Sequence, residues 1–201
     1  MAKDTKQRIL EASLEIFARD GYGGTNLKDI ADSVGLVKSG IYKHFSGKEE
    51  IWNEAIDMME RYYQANMKAR STSMKIPQST DELRQMTMGM INFTLHDEKV
   101  ILTRRILTQE QFRSEKIREL ANRHFVYDLA GLFAGVFSAM MEQGTIKRCD
   151  AHTLALAYTA PVSVLIRLCD RSPEKEKEAA ETIRRFVEMF IDQYGVKENR
   201  P

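Results

Sequence analysis

Apolar residues in the first fifty positions recur at helical spacing in three short runs. Ile9, Leu10, Leu14, Ile16 and Phe17 make one stripe between about Thr5 and Arg19. Asp20-Gly21 ends it, because glycine readily takes the left-handed conformation that closes a helix. Asn26 opens a second run, with a side chain able to cap the backbone and Asp29 placed at the positive helix end. Leu27, Ile30, Ala31 and Val34 then fall at i, i+3, i+4 and i+7, the pattern of one buried face. Gly35 breaks this helix after about two turns, and a third begins near Val37 and ends around His44-Phe45. Two short helices joined by a tight turn are a helix-turn-helix signature.

Longer helices follow. Ser46-Gly47-Lys48-Glu49 reads as a capping box opening a helix through Ile51, Ala55, Met58, Met59 and Tyr62. Residues 69–79 are polar, contain Pro77 and read as a loop. Further helices are predicted at about Thr80–Leu95, Glu98–Thr108, Ser114–Gln143, Ala151–Asp170 and Pro173–Tyr194, the last with Ser172 as N-cap and Pro173 at its first position. No segment alternates like a strand for more than a few residues. Only 4 prolines and 11 glycines interrupt the 201 residues, which favours long helices. The prediction is an all-α chain, with a three-helix helix-turn-helix domain over residues 1–46 and a helical domain over 47–201.

Charge sharpens the picture. The formal net charge is +1, which excludes nucleic-acid binding by bulk charge and requires a local patch. Between Ser33 and Lys48 lie Lys38, Lys43, Lys48 and His44 and no acid, the one basic island in the chain. Lys38 and Tyr42 share a face of the third helix, Lys43 is adjacent, and Ile41 and Phe45 point toward a core. Such a helix can enter a major groove. Lys38 can reach guanine O6 and N7, Tyr42 and Lys48 can donate to phosphates, and Gly40 lets the backbone approach closely. The plainer alternative is a solvated helix with three ordinary lysines; its place after a helix and turn favours DNA contact.

The run Gly21-Tyr22-Gly23-Gly24-Thr25-Asn26-Leu27-Lys28-Asp29-Ile30-Ala31, then Val34-Gly35-Leu36, then Gly40-Ile41-Tyr42-Lys43-His44-Phe45-Ser46-Gly47-Lys48-Glu49-Glu50-Ile51, resembles the TetR family of bacterial transcriptional regulators. The resemblance implies a homodimeric, mostly repressing regulator with a C-terminal helical domain that binds an inducer. It places Thr25, Tyr42, His44 and Lys48 against the DNA backbone and Lys38, Ser39 and Lys43 at the bases. Asn26, Lys28 and Gly40 complete the candidate DNA-binding set. Two departures stand out: Val37 occupies the position where the family usually has Ser or Thr, and the family's common glycine falls at Ser39, with Gly40 one later.

Other chemistry is weakly represented. Cys149 and Cys169 offer neither a disulfide framework nor a Cys-rich zinc site. Gly21-Tyr22-Gly23-Gly24 lacks the strand and the Gly-Lys-Ser/Thr of a phosphate loop. His44, His96, His124 and His152 have no metal-ligand spacing, and no catalytic triad is readable, so no enzyme, metal or cofactor is expected. The charged N-terminus carries no signal core. Leu129–Met141 and Ala151–Ile166 fall short of the ~20 residues of a membrane helix, so a cytoplasmic protein without membrane contact is expected.

Met86, Met90 and Phe93 recur at i, i+4 and i+7, and Met58, Met59, Tyr62 and Met67 lie on the preceding helix. Methionine suits a pocket for variable apolar ligands. Met59, Tyr62, Met86, Met90, Phe93, His124, Phe125 and Tyr158 form the candidate effector pocket; the alternative is that this stripe is packed core. The last two helices carry Tyr158, Val162, Leu165, Ile183, Phe186, Val187 and Phe190, a candidate twofold dimer interface implying a palindromic operator. The expected partners are therefore double-stranded operator DNA, a second copy of the chain and a small-molecule effector. Two further readings remain at this stage: a DNA-binding dimer without an effector, and an enzyme built on the helical domain.

Overall fold

The computed structural model describes residues 4–73 and 75–196, and their regular elements are all helical. They are α1 (Thr5–Gly24), α2 (Leu27–Ser33), α3 (Lys38–Ile41), α4 (Lys48–Ser73), α5 (Thr80–His96), α6 (Glu98–Glu110) and α7 (Glu115–Asn122), followed by a π-helical turn (Arg123–Tyr127). After it come α8 (Asp128–Glu142), α9 (Ala151–Arg171), a 3-10 turn (Pro173–Lys175) and α10 (Glu176–Tyr194). The all-α expectation holds.

Contacts group the chain into two compact units. One compact unit joins Met1–Arg70 with Glu98–Ala121, and the other joins Ser71–Asp97 with Asn122–Pro201. In the first, α6 lies along α1. Gln109 Nε2 donates to the Ala18 carbonyl at 2.8 Å, and Glu110 Oε1 accepts the Tyr22 N–H at 2.8 Å. Helix α1 is interrupted where the sequence predicts, at Gly21 (φ 70°, ψ 170°), and one more turn carries it to Gly24. The Gly21 geometry belongs to a region essentially reserved for glycine.

Several boundaries differ from the prediction for local reasons. The Ser46 N–H and hydroxyl both donate to Glu50 Oε2 at 2.5 and 2.7 Å, so Ser46 pairs with the Glu50 carboxylate in place of the predicted box with Glu49. Because α4 starts at Lys48, Glu50 is its third residue, the one that can reach back. These bonds hold the Glu50 carboxyl below its usual range. The predicted single helix over Ser114–Gln143 is continuous but contains the π turn, where the Arg167 guanidinium sits 5.1 Å from the Phe125 ring centroid. Ser172 makes no side-chain cap; its carbonyl instead accepts the Lys175 N–H at 2.9 Å, closing a 3-10 turn before α10.

In the second unit α8, α9 and α10 pack side by side with α5 against α9 and α10. Tyr158 is at its centre, 4.4 Å from Phe190, 5.1 Å from Phe133 and 5.3 Å from Phe137 between ring centroids. Its hydroxyl shares a 2.8 Å hydrogen bond with Thr87, and burial pushes the phenol up to about 12. Arg84 on α5 holds Glu188 on α10 with a two-pronged contact at 2.5 and 2.8 Å, and also pairs with Asp81. Contrary to the sequence estimate, the continuous helical runs Glu115–Glu142 and Ala151–Arg171 are long and apolar enough to cross a membrane, with mean hydropathy 1.3. The helix extends beyond each uncharged stretch, which is why the count rises. Phe133, Val136, Phe137 and Met140 on one, and Leu154, Ala155, Tyr158 and Val162 on the other, are spent on this unit's core.

Candidate nucleic-acid interface

The helix-turn-helix is assembled from short-range bonds. Asn26 Oδ1 accepts the N–H groups of Lys28 (2.9 Å) and Asp29 (3.1 Å), while Asp29 reaches back to the Asn26 N–H, a complete capping box. Gly35, at φ 73°, turns the chain, and the Leu36 N–H returns to the Ala31 carbonyl at 2.9 Å. Arg8 on α1 pins the turn by donating to the Val34 carbonyl at 3.0 Å. Ile30, Ala31, Ile41 and Phe45 are buried beneath it. With the inner face so fixed, Lys38, Ser39, Tyr42 and Lys43 are exposed on the outer one, and His44 is half-buried. Val37 precedes α3 without a side-chain cap and is 72% exposed. A Cβ on Gly40 would meet only ordinary contacts with Leu36, so the fold itself does not demand glycine there.

Four expected DNA contacts are otherwise engaged. Thr25 is 2% exposed, and its hydroxyl donates to the Gly21 carbonyl at 2.7 Å. Lys28 pairs with Asp32 at 2.9 Å, one turn on, which offsets its charge. Lys48 Nζ donates to the carbonyls of both Tyr22 and Thr25 at 2.7 Å and lies 4.2 Å from the Tyr22 ring centroid. It clamps the α1–α2 connection rather than standing free beside a phosphate. Asn26 likewise spends its side-chain oxygen on the cap. The sequence did not reveal that Tyr22 is the hub of this end of the domain. Its ring packs against Phe17 and Trp52, and the Arg113 guanidinium stacks on it at 3.4 Å. Arg113 is remote in sequence, and nothing in the local pattern points to it.

Residues 9–55, which contain the turn, the capping box and the exposed lysine face, match the model for bacterial regulatory proteins of the tetR family. Over this segment the chain is similar to the TetR family. The chain is 34% identical over 58 residues to the biofilm operon icaADBC negative transcriptional regulator IcaR of Staphylococcus epidermidis, covering 29% of this chain and 31% of that protein. To the transcriptional regulator AcrR of Shigella flexneri it is 27% identical over 128 residues, 60% of this chain and 54% of that one. The matched stretch thus spans about a third of one curated relative and about half of the other. Both relatives are named as transcriptional regulators, not as enzymes.

The TetR fold extends over the whole chain. The SmeT–triclosan complex aligns with a TM-score of 0.70 at 18% identity, covering 98% of this chain and 94% of that one. SmeT is described as the repressor of a multidrug efflux pump of Stenotrophomonas maltophilia. A TetR-family regulator from Cytophaga hutchinsonii aligns with a TM-score of 0.67 at 16% identity over 96% of each chain.

The expected effector residues are distributed over both units. Met59 and Tyr62 lie in the first unit, whereas Met86, Met90, Phe93, His124, Phe125 and Tyr158 belong to the second. Tyr158 is core, with its hydroxyl already bonded to Thr87. Met86, Met90, Phe93, His124 and Phe125 are half-buried, the last two in the π turn. Single π turns inside α-helices are frequent at functional sites.

The expected dimer residues differ in burial within the subunit. Tyr158, Val162, Ile183, Val187 and Phe190 are buried inside their own unit, and Leu165 and Phe186 pack against that core. The apolar side chains that α9 and α10 leave exposed are Leu156, Val164 and Met189, together with Ala157 and Ala160. Periodicity alone finds both faces of such a helix and does not say which one the subunit keeps.

Proposed function

We propose that the protein is a ligand-responsive transcriptional repressor that binds a palindromic operator as a homodimer and is released by a small apolar effector. The observation that carries this reading is the exposed face of α3, with Lys38, Ser39, Tyr42 and Lys43 held outward by buried Ile41 and Phe45 in a TetR-family domain. Lys38 and Lys43 approach the bases, and Tyr42 holds the backbone. Residues 1–46 carry recognition, and residues 47–201 carry effector binding and dimerisation. The named relatives support repression, and the SmeT complex with triclosan supports a small-molecule effector. Met86, Met90 and Phe93 on α5, with His124 and Phe125, supply an apolar lining with few polar groups. Binding acts through α4, whose first turn is fixed to the recognition domain by Lys48 and Glu50. An effector does so only by its differential affinity for two arrangements of the domain, typically worth about 1–3 kcal/mol. The site of action is the cytoplasm, where the DNA is.

Sequencing the genomic fragments that the purified protein retains tests DNA recognition. The expected result is a short inverted repeat, protected by wild type and bound without preference by Lys38→Ala. Retention of no sequence above background would falsify the reading. Release of that repeat by apolar compounds separates a ligand-responsive repressor from a dimer without an effector.

A further inference from the structure

A second cavity chemistry is built into the first unit, apart from the residues on α5 and the π turn. Helices α1, α4 and α6 line an open-mouthed cavity of about 320 Å³. Leu14, Met59 and Thr103 are its buried lining, and Met58 and Leu102 extend the apolar wall. Tyr62 contributes an aromatic wall, and the Lys99 ammonium lies 4.7 Å from its ring centroid. Three carboxylates, Glu11, Glu15 and Glu98, also line the cavity, against Lys99 as its one cationic side chain. Gln7 braces the α1 wall, donating to Glu11 Oε1 at 3.1 Å and to Met58 Sδ at 3.2 Å.

We infer that this cavity is a binding site for a small organic cation with an apolar body, such as a lipophilic amine or quaternary ammonium. An aromatic face, thioethers and an excess of carboxylates are the groups that recognise such an ion. The cavity is of a size that suits a ligand of one ring and a cationic head. Lys99 marks where the head goes: the chain's own ammonium occupies the face of Tyr62, and an incoming cation takes its place. The walls come from α1 of the recognition domain and from α4 and α6, so a ligand here touches the helix that Arg8 ties to the turn. This site stands independently of the effector reading above.

The test uses the full chain with carbon-13-labelled methionine methyl groups, titrated with benzyltrimethylammonium and with its uncharged isostere neopentylbenzene. The Met58 and Met59 signals are expected to move saturably with the cation and much less with the isostere. Lys99→Gln, which removes the internal competitor, is expected to tighten binding by about two- to fivefold. The double variant Glu11→Gln/Glu98→Gln is expected to weaken it by about tenfold. Equal binding of the uncharged isostere, or an unchanged affinity in Lys99→Gln, overturns the inference. Shifts confined to Met86 and Met90 overturn it too, while favouring the effector pocket on α5; the absence of any saturable shift overturns it outright.

Discussion

Lys48 gives two of its three ammonium protons to the carbonyls of Tyr22 and Thr25. From sequence, replacing it should remove a phosphate contact and lower the salt dependence of DNA binding by about one ion per half-site. Its position in the structure predicts otherwise. Lys48→Ala should weaken operator binding by loosening residues 22–25 while leaving the slope of affinity against salt unchanged. Lys43→Ala, at an exposed position, should lower that slope by about one ion per half-site. Operator titrations across a range of salt concentrations distinguish the two, and a reduced slope for Lys48→Ala would restore the simpler role. Tyr158 offers a second test at this scale. Removing its hydroxyl leaves buried Thr87 short of a partner, so Tyr158→Phe should cost about 1 kcal/mol in a urea melt. Adding Thr87→Val should recover part of that loss, because both polar groups are then gone. A lack of recovery in the double variant would show that the two hydroxyls are not coupled.

Individual helices were legible to the extent that their ends are made by near neighbours. Asn26 with Asp29, and Gly35 after Val34, could be read directly because each bond spans only a few residues. Ser46 pairs with Glu50 rather than Glu49 because the helix begins two residues after Ser46, a boundary that composition does not mark. The π turn left no signal at all; its residues are as helix-compatible as their neighbours. Between α5 and α10 the two-pronged Arg84–Glu188 contact is likewise invisible in sequence, since 104 positions separate the partners. It makes stability depend on pH. Arg84 holds the Glu188 carboxyl below its usual range, so the pair stabilises the fold above the unfolded-state value of about 4.3. That contribution is lost as pH falls through the lower folded-state value. The melting temperature of Glu188→Gln should therefore lie furthest below wild type above about pH 5, and the gap should close toward about pH 3. A gap that is constant over this range would mean the pair contributes nothing through ionisation.

At the scale of the whole molecule, the split between inner and outer faces of α9 and α10 decides how assembly can be probed. Phe186 is 5.8 Å from Tyr158 between ring centroids, so an acidic substitution there damages the core along with any interface. Val164, 57% exposed, and Met189, 61% exposed, carry no such ambiguity. Val164→Asp and Met189→Asp should each keep the wild-type melting profile of the isolated subunit while light scattering reports a shift from dimer toward monomer at micromolar concentration. Unchanged dimers in both variants would move the interface away from these helices. Sequence patterns gave the helices of this region and their amphipathic character, but partition between core and surface is a property of neighbours brought in from far along the chain. The same holds at Gly21. Its Tyr22 neighbour is satisfied by Glu110, the Ala18 carbonyl takes a bond from Gln109, and a Cβ at position 21 would come within 3.0 Å of the Glu110 carboxylate. The family segment of residues 9–55 is therefore not a detachable cassette. A chimera that transplants it onto another regulator must carry residues 109–113 along, or it arrives with its final α1 turn unsupported.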